Sequence, residues 1–227
     1  MTAHSGSAKD LLAGFAMSSQ TGLFVTVDGP NAVGKSSLVS AITLRLLSRG
    51  LDVLQTGEPT SSALGKLVRE AEEYLAGRAL ACLVAADRYA HLAEEVRPAL
   101  ADGKVVLCDR YVESSFVLQA LDGVEADFIW AVNSHVLVPD LSIVVNASPR
   151  TLDKRLSCRP SLSRFERTNT REQELALYQQ AIAYLEPHGF HFLAIENDAT
   201  PLSINVEQMC RAVQTLLKRR VSTGIEN

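Results

Sequence analysis

Hydrophobic positions along this chain switch between two spacings. Residues 23–27 (LFVTV) form a near-continuous, β-branched apolar run, the pattern of a strand buried on both faces of a parallel sheet. Glycines follow at once, and within residues 36–49 Leu38, Ile42, Leu46 and Leu47 recur at helical spacing, with Gly50 as the stop. Strand, loop and helix then repeat. The spacing predicts a strand over 51–54, a helix over 63–74, a long helical stretch over 79–101 with Pro98 in or near its last turn and Gly103 after it, and a strand over 105–108. Farther on it predicts helices over 125–136, 150–156, 171–185 and 204–219, and strands over 141–145 and 190–195. Five strands separated by helical crossovers predict an α/β fold, a parallel sheet sandwiched between helices in three layers.

Residues 1–20, rich in Ser, Ala and Gly and without a sustained period, are expected to form an irregular tail, residues 21–220 a single domain, and residues 221–227 a second tail. The stretch 157–170, with its Ser, Arg and Pro, is the expected mobile surface segment. A formal charge of −4 argues against an extended nucleic-acid surface but leaves room for a phosphate pocket, which needs only a few local cations, so a small partner is expected. Cys82, Cys108, Cys158 and Cys210 show no CxxC spacing, and reduced thiols are expected rather than a zinc site or disulfide framework. The apolar run at 11–17 is far below the ~20 residues of a membrane span and lacks a basic leader, which points to no membrane partner and a cytoplasmic location.

The loop Gly29-Pro30-Asn31-Ala32-Val33-Gly34-Lys35-Ser36 between the first strand and helix changes the picture most. In G-x-x-x-x-G-K-[ST] the glycines let backbone N–H groups converge on phosphate oxygens, and the following helix adds its positive end. Together with Ser37 this segment is the expected ATP site, with Lys35 bridging the terminal phosphates and Ser36 ligating Mg²⁺. The loop alone says nucleotide and not reaction, since several classes of protein share it. An Asn-Lys-x-Asp guanine-reading motif is missing from the sequence. Asp109, directly after the 105–108 strand, is expected to present a carboxylate to the magnesium through water, with Arg110 entering the same crevice. Arg155, Arg159, Arg164 and Arg167 crowd around Pro160. Such a cluster reads either as a solvated charge run or as a lid whose guanidinium groups close on a transferring phosphoryl group and exclude water.

With the loop, Asp109-Arg110-Tyr111 and the arginine cluster, the sequence resembles the thymidylate (dTMP) kinase family of P-loop nucleoside monophosphate kinases over residues 23–215. Glu58-Pro59-Thr60 followed by Leu64-Gly65-Lys66-Leu67-Val68-Arg69-Glu70 is similar to that family's segment after the second strand, and Ala85-Ala86-Asp87-Arg88 to its base-reading helix. Cys108-Asp109-Arg110-Tyr111-Val112-Glu113-Ser114-Ser115, ending in Gln119, is the most specific match, supported by Pro139-Asp140-Leu141 and by Arg159 through Arg164-Phe165-Glu166. The resemblance implies a P-loop NTPase-type sandwich on a five-stranded parallel sheet, homodimers, and phosphoryl transfer from ATP to a nucleoside monophosphate. It implies that Arg110 holds the acceptor phosphate and Arg88 the base, that Glu58, Arg69, Ser115 and Gln119 lie on the acceptor side, and that Arg155, Arg159 and Arg164 of the lid serve the donor.

The departures cluster around the acceptor. Asn31 stands where the family usually has an acid, Val84 where a phenylalanine stacks on thymine, Leu118 in place of a tyrosine, Gly57 in place of an arginine, and Asn146 in place of an acid. They read either as drift, with the ring re-supplied by Tyr89 or Phe116, or as a site widened for a different nucleotide. A kinase for a specialised nucleotide-like small molecule and a non-catalytic ATP-binding regulator are the alternatives. His91, His135 and His188 are read as packing or surface residues and Trp130 as core or subunit contact.

Overall fold

The computed structural model describes residues 22–223. The expected tail at residues 1–20 lies outside them. Of the expected C-terminal tail, residues 221–223 close the last helix and the remainder lies outside.

The apolar run at the start of the described chain is β1 (Leu23–Asp28), buried along its whole length. It occupies the centre of a sheet because both faces must be covered: Leu23, Val25 and Val27 point to one core, while Phe24 points to the other. After it come α1 (Lys35–Leu47), β2 (Val53–Gly57), α2 (Ala63–Ala71) and α3 (Gly77–His91). A π-helical turn at Leu92–Val96 leads into α4 (Arg97–Ala101), β3 (Val105–Asp109), α5 (Val112–Leu121), α6 (Ala126–Asn133) and β4 (Leu141–Asn146). The chain ends through α7 (Pro149–Leu156), α8 (Arg164–Thr168), α9 (Arg171–Leu185), β5 (Phe192–Glu196) and α10 (Leu202–Thr223).

The strand order is β2-β3-β1-β4-β5, and every pairing is parallel. Leu38, Ile42 and Leu46 of α1 and Met209, Cys210 and Val213 of α10 cover one face of the sheet. Leu92, Val96, Leu100, Phe116, Ile129 and Leu185 cover the other, around Phe24, Val106 and Cys108. The chain leaves β1 toward β2 on one side and leaves the adjacent β3 toward β4 on the other, which makes the carboxyl ends of these neighbours a switch point where an open α/β sheet forms a crevice.

Several boundaries differ from the sequence reading. The second strand begins at Val53 and not at 51, because Leu51 still packs with the end of α1 and its N–H bonds to Leu46. It continues through Gln55 and Thr56, which an edge strand can carry because one side faces outward. Phe190 is buried before β5 begins, so the fifth strand starts at Phe192. The helices predicted over 63–74 and 125–136 stop at Ala71 and Asn133, and the stretch 79–101 is two helices joined by the π-helical turn. Helix α5 was missed: Val112, Ser114, Phe116 and Val117 are all buried, so it has no polar face to set a 3.6-residue period. The segment 157–170 contains the ordered turn α8, capped reciprocally by Ser163 and Glu166.

Gly29 turns the chain out of β1 at a φ of +144°, and a Cβ there would lie 2.2 Å from the Val145 carbonyl oxygen of β4. Gly29→Ala is expected to destabilise the protein by about 2 kcal/mol or more, read as a lowered thermal midpoint, because neither the backbone conformation nor the strand spacing accommodates a side chain.

Candidate active site

The carboxylate of Asp28, fully buried at the end of β1, organises the crevice. It accepts from the N–H groups of Gly29 (2.9 Å), Tyr111 (3.0 Å) and Ser114 (3.0 Å), from Ser114 Oγ (2.8 Å), and from the Tyr178 hydroxyl of α9 (2.7 Å). The loop from β1, the start of α5 and the middle of α9 are thereby tied to one group. Beyond Gly29 the loop wraps around Lys35, whose Nζ donates to the carbonyls of Gly29 (2.7 Å) and Pro30 (3.0 Å). Burial, then the neighbouring Arg110, lowers the Lys35 pKa to about 7 against the pull of Asp28 and Asp109. The outer side of the loop is braced at the Val33 carbonyl by Arg155 (2.9 Å) and Asn197 (2.8 Å), and Glu174 accepts from the Asn31 N–H at 2.8 Å.

Ser36 and Asp109 meet as their chemistry requires. Ser36 Oγ donates to Asp109 Oδ2 at 2.6 Å, and Asp109 Oδ1 is buried without a partner among the described residues. Two hard oxygens at the mouth of a phosphate loop, one of them orphaned, are a donor set that suits Mg²⁺. Ser37 follows, exposed in the first turn of α1.

Arg110 adopts a φ of +72°, a left-handed conformation that a non-glycine residue keeps only where its surroundings enforce it. Its N–H bonds to the Val27 carbonyl (3.0 Å), and its guanidinium donates to Asn31 Oδ1 (2.7 Å) and Ser114 Oγ (3.2 Å). Since arginine only donates, the Asn31 carbonyl oxygen is taken and its amide N–H₂ is left for the crevice.

A cleft opens beside Arg110, and Glu58, Val84, Arg88, Ser115, Leu118 and Gln119 line it together with Arg110. Asn31 reaches it through Arg110, and Arg69 sits exposed at its edge, donating to the Pro59 carbonyl at 2.7 Å. Arg88 is buried: its Nε donates to Glu58 Oε2 (2.8 Å), one terminal nitrogen to Asn133 and the other to the Tyr111 carbonyl (3.0 Å). Glu58 is therefore the counter-ion of Arg88. Glu72, which no motif contains, and Asp87, Tyr111 and Ser114, which lie in the matched motifs without an assigned role, also line the cleft. Burial pushes the Glu72 carboxyl above its usual range despite Arg110 and Arg164 nearby.

The suggested replacement ring does not reach the cleft. The Tyr89 hydroxyl accepts from the His135 N–H, and Phe116 packs against Tyr184 in the core. Among the described lining residues the only aromatic side chain is Tyr111, which lies under Arg88. Gly57 has a physical reason to be small, because a Cβ there would lie 2.8 Å from the Asp109 carbonyl oxygen. Asn146 donates to Glu196 at 3.3 Å.

The arginine cluster is neither a solvated run nor, in this conformation, a lid closed on the loop. Arg155 touches the loop from outside through backbone carbonyls and does not point into it. Arg164 is held away by Asp122 (2.6 and 2.8 Å) and by the Glu72 carbonyl (2.6 Å), Arg167 pairs with Glu73 (2.7 Å), and Arg159 pairs with Glu166. Guanidinium groups take carboxylates and carbonyls as readily as phosphate, and these acceptors lie within reach. His188 stacks on Tyr184 and packs at a tilt against Trp130, as a packing residue would.

A family model described as thymidylate kinase matches residues 27–200. A probable thymidylate kinase from Caldivirga maquilingensis is 40% identical over 149 residues, covering 64% of this chain and 73% of the relative. A Pseudomonas putida thymidylate kinase is 33% identical over 214 residues, covering 84% of this chain and 99% of the relative. A Bifidobacterium longum thymidylate kinase is 34% identical over 225 residues, covering 89% of this chain and 90% of the relative.

Behind Asp28 lies Glu113, fully buried, with Oε1 3.5 Å from Thr26 Oγ1 and Oε2 without a partner among the described residues. Burial, reinforced by Asp28, raises its pKa to about 7 from an ordinary 4.5. A carboxyl that binds its proton more tightly when folded lowers stability as pH rises from its unfolded value through its native one. Glu113→Gln is therefore expected to exceed the wild type in stability at pH 8 by on the order of 1–3 kcal/mol, with little difference at pH 5, measured by denaturant unfolding across that range.

Proposed function

The chain belongs to the thymidylate kinase family, and on that premise we propose that its cleft takes a pyrimidine nucleoside monophosphate of the dTMP type and that Ser36 and Asp109 would hold Mg²⁺. The activity is ATP-dependent phosphoryl transfer to a nucleoside monophosphate.

The observation that carries the assignment of roles is Arg110. One guanidinium contacts the phosphate loop at Asn31 and also lines the cleft, so an acceptor phosphate bound to it faces the terminal phosphate of a donor in the loop. Holding the two in line accounts for much of the catalysis, because phosphoryl transfer between phosphates needs no covalent intermediate and the acceptor is already ionised at neutral pH. Lys35 and the loop N–H groups hold the donor phosphates. Mg²⁺, when bound, neutralises charge on the donor oxygens. Arg155 contacts the loop already, whereas Arg159 and Arg164 would serve the transferring phosphoryl group after leaving Glu166 and Asp122.

The base preference follows from Gln119. Gln119 lines the cleft, and its Oε1 is buried without a partner among the described residues, so an N–H donor such as N3–H of thymine or uracil would satisfy it. Ser115 and Arg88 flank it with further polar groups. The wall at Val84 is aliphatic where stacking on an aromatic ring would add about 1–3 kcal/mol, which supports weaker and less selective base binding. The same wall favours the second reading, a specialised nucleotide-like acceptor. The homodimer rests on the resemblance and the cytoplasmic location on the short apolar run at 11–17; no described helix is long and apolar enough to cross a membrane.

Steady-state kinetics with ATP·Mg²⁺ over a panel of monophosphates tests the proposal. Turnover with dTMP and dUMP, exceeding that with dCMP and purine monophosphates, is expected; no turnover with either would overturn it in favour of a specialised acceptor. Val84→Phe should lower the KM for dTMP about tenfold while leaving the KM for ATP unchanged.

A further inference from the structure

The geometry points to His91 as a positioning residue for acceptor recognition, acting through Glu58 on Arg88. The inference rests on the proposed reading that the cleft lined by Arg88 receives the acceptor. His91 is the last residue of α3, one turn beyond Arg88 on the same face, and its side chain is buried. It is absent from the cleft lining, so it touches no acceptor directly.

Glu58 divides its two oxygens between these helix neighbours. Oε2 accepts from Arg88 Nε at 2.8 Å, and Oε1 faces His91 Nδ1 at 3.2 Å. An ionised carboxylate only accepts, so the shared hydrogen is on Nδ1. The terminal torsion of a glutamate is broad and two-fold, and a bond to one oxygen alone leaves the carboxylate plane free to swing. With His91 on the second oxygen the plane is fixed, and so is the plane of the guanidinium that bonds to it. Arg88 then has little freedom left. Of its five N–H donors, one each goes to Glu58, Asn133 and the Tyr111 carbonyl, which leaves two to address the cleft from a fixed direction.

The imidazole is gripped from its other edge as well. His91 Nε2 lies 2.8 Å from Thr56 Oγ1 of β2 and 3.2 Å from Glu95 Oε2, and Thr56 Oγ1 donates to the same Glu95 oxygen at 2.8 Å. Glu95 comes from the π-helical turn that begins immediately after His91. A π-helical turn inserts a residue at a cost in regularity and is frequent at functional sites; here it carries the carboxylate back against the ring. Cys108 is close to both Glu58 and His91, with candidate ligand atoms of all three within 4.8 Å of one another. Both ring nitrogens are already engaged and the thiol donates to the Arg110 carbonyl at 3.1 Å, so the group is a hydrogen-bond relay and not a set of open ligands.

His91→Ala, His91→Asn, His91→Gln and Arg88→Ala, assayed with dTMP as acceptor and ATP as donor and checked for folding by thermal denaturation, test the inference. The Asn amide nitrogen sits where Nδ1 does and can reach Glu58, whereas the longer Gln amide stands in for Nε2. His91→Ala and His91→Gln are expected to raise the KM for dTMP about tenfold, the loss of one hydrogen bond to a charged group, with the KM for ATP and kcat within about twofold. His91→Asn should stay near the wild type. Equal rises in both KM values, or an Asn variant no better than Gln, would reduce His91 to a structural residue and overturn the inference; the Asn and Gln comparison decides even if the Ala variant does not fold. An unchanged KM for dTMP in Arg88→Ala would instead remove the cleft assignment on which the inference rests.

Discussion

One buried carboxylate at the end of the central strand makes the crevice possible. Asp28 cannot be left unpaired in an apolar core, and its hydrogen bonds are supplied by three separate parts of the chain: the phosphate loop, the start of α5 and Tyr178 of α9. Because each bond to an ionised group is stronger than a neutral one and its loss leaves a buried charge, the three parts are fixed relative to each other. Arg110 keeps its left-handed backbone between Val27 on one side and the Asp28-bound Tyr111 on the other. Phosphate loop and cleft are thus registered from beneath.

Much of the fold was legible because a parallel sheet buried on both faces writes itself as apolar runs between helical periods. β1, β3 and β4 lie where those runs lie. The misplacements fall where burial and polarity part company. β2 is an edge strand and carries Gln55 and Thr56, so the apolar pattern ended before the strand did. α5 is buried on every side, with Glu113, Ser114, Ser115 and Gln119 inside, and polar residues inside a core erase the amphipathic signal on which the reading depends.

The site divides the same way. The phosphate loop is readable because its geometry restricts residue types at Gly29, Gly34, Lys35 and Ser36, and the pairing of Ser36 with Asp109 followed from the place of Asp109 at a strand end. The residues expected on the acceptor side came from a resemblance, and the structure brings Glu58, Val84, Arg88, Arg110, Ser115, Leu118 and Gln119 to one cleft. What spacing could not reveal are partners distant in sequence. His91 looked idle because Glu58 and Thr56 are more than thirty residues away, and Asp28 gives no signal in the sequence because Tyr111, Ser114 and Tyr178 lie more than eighty residues away. The arginines were recognised as a group but not their resting partners, since Asp122 and Glu73 come from other elements.

Lys35 shows what such a loop stores. An ammonium group buried away from water and shadowed by Arg110 holds its proton loosely, with a pKa of about 7. The polyphosphate of a nucleotide reverses that balance by placing negative charge against the same nitrogen. Under the proposed assignment of this loop to the donor, proton and nucleotide would be cooperative ligands, each raising the affinity for the other by the same factor. The cost of keeping a cation in the interior falls largely on the complex, where its charge has a counterpart.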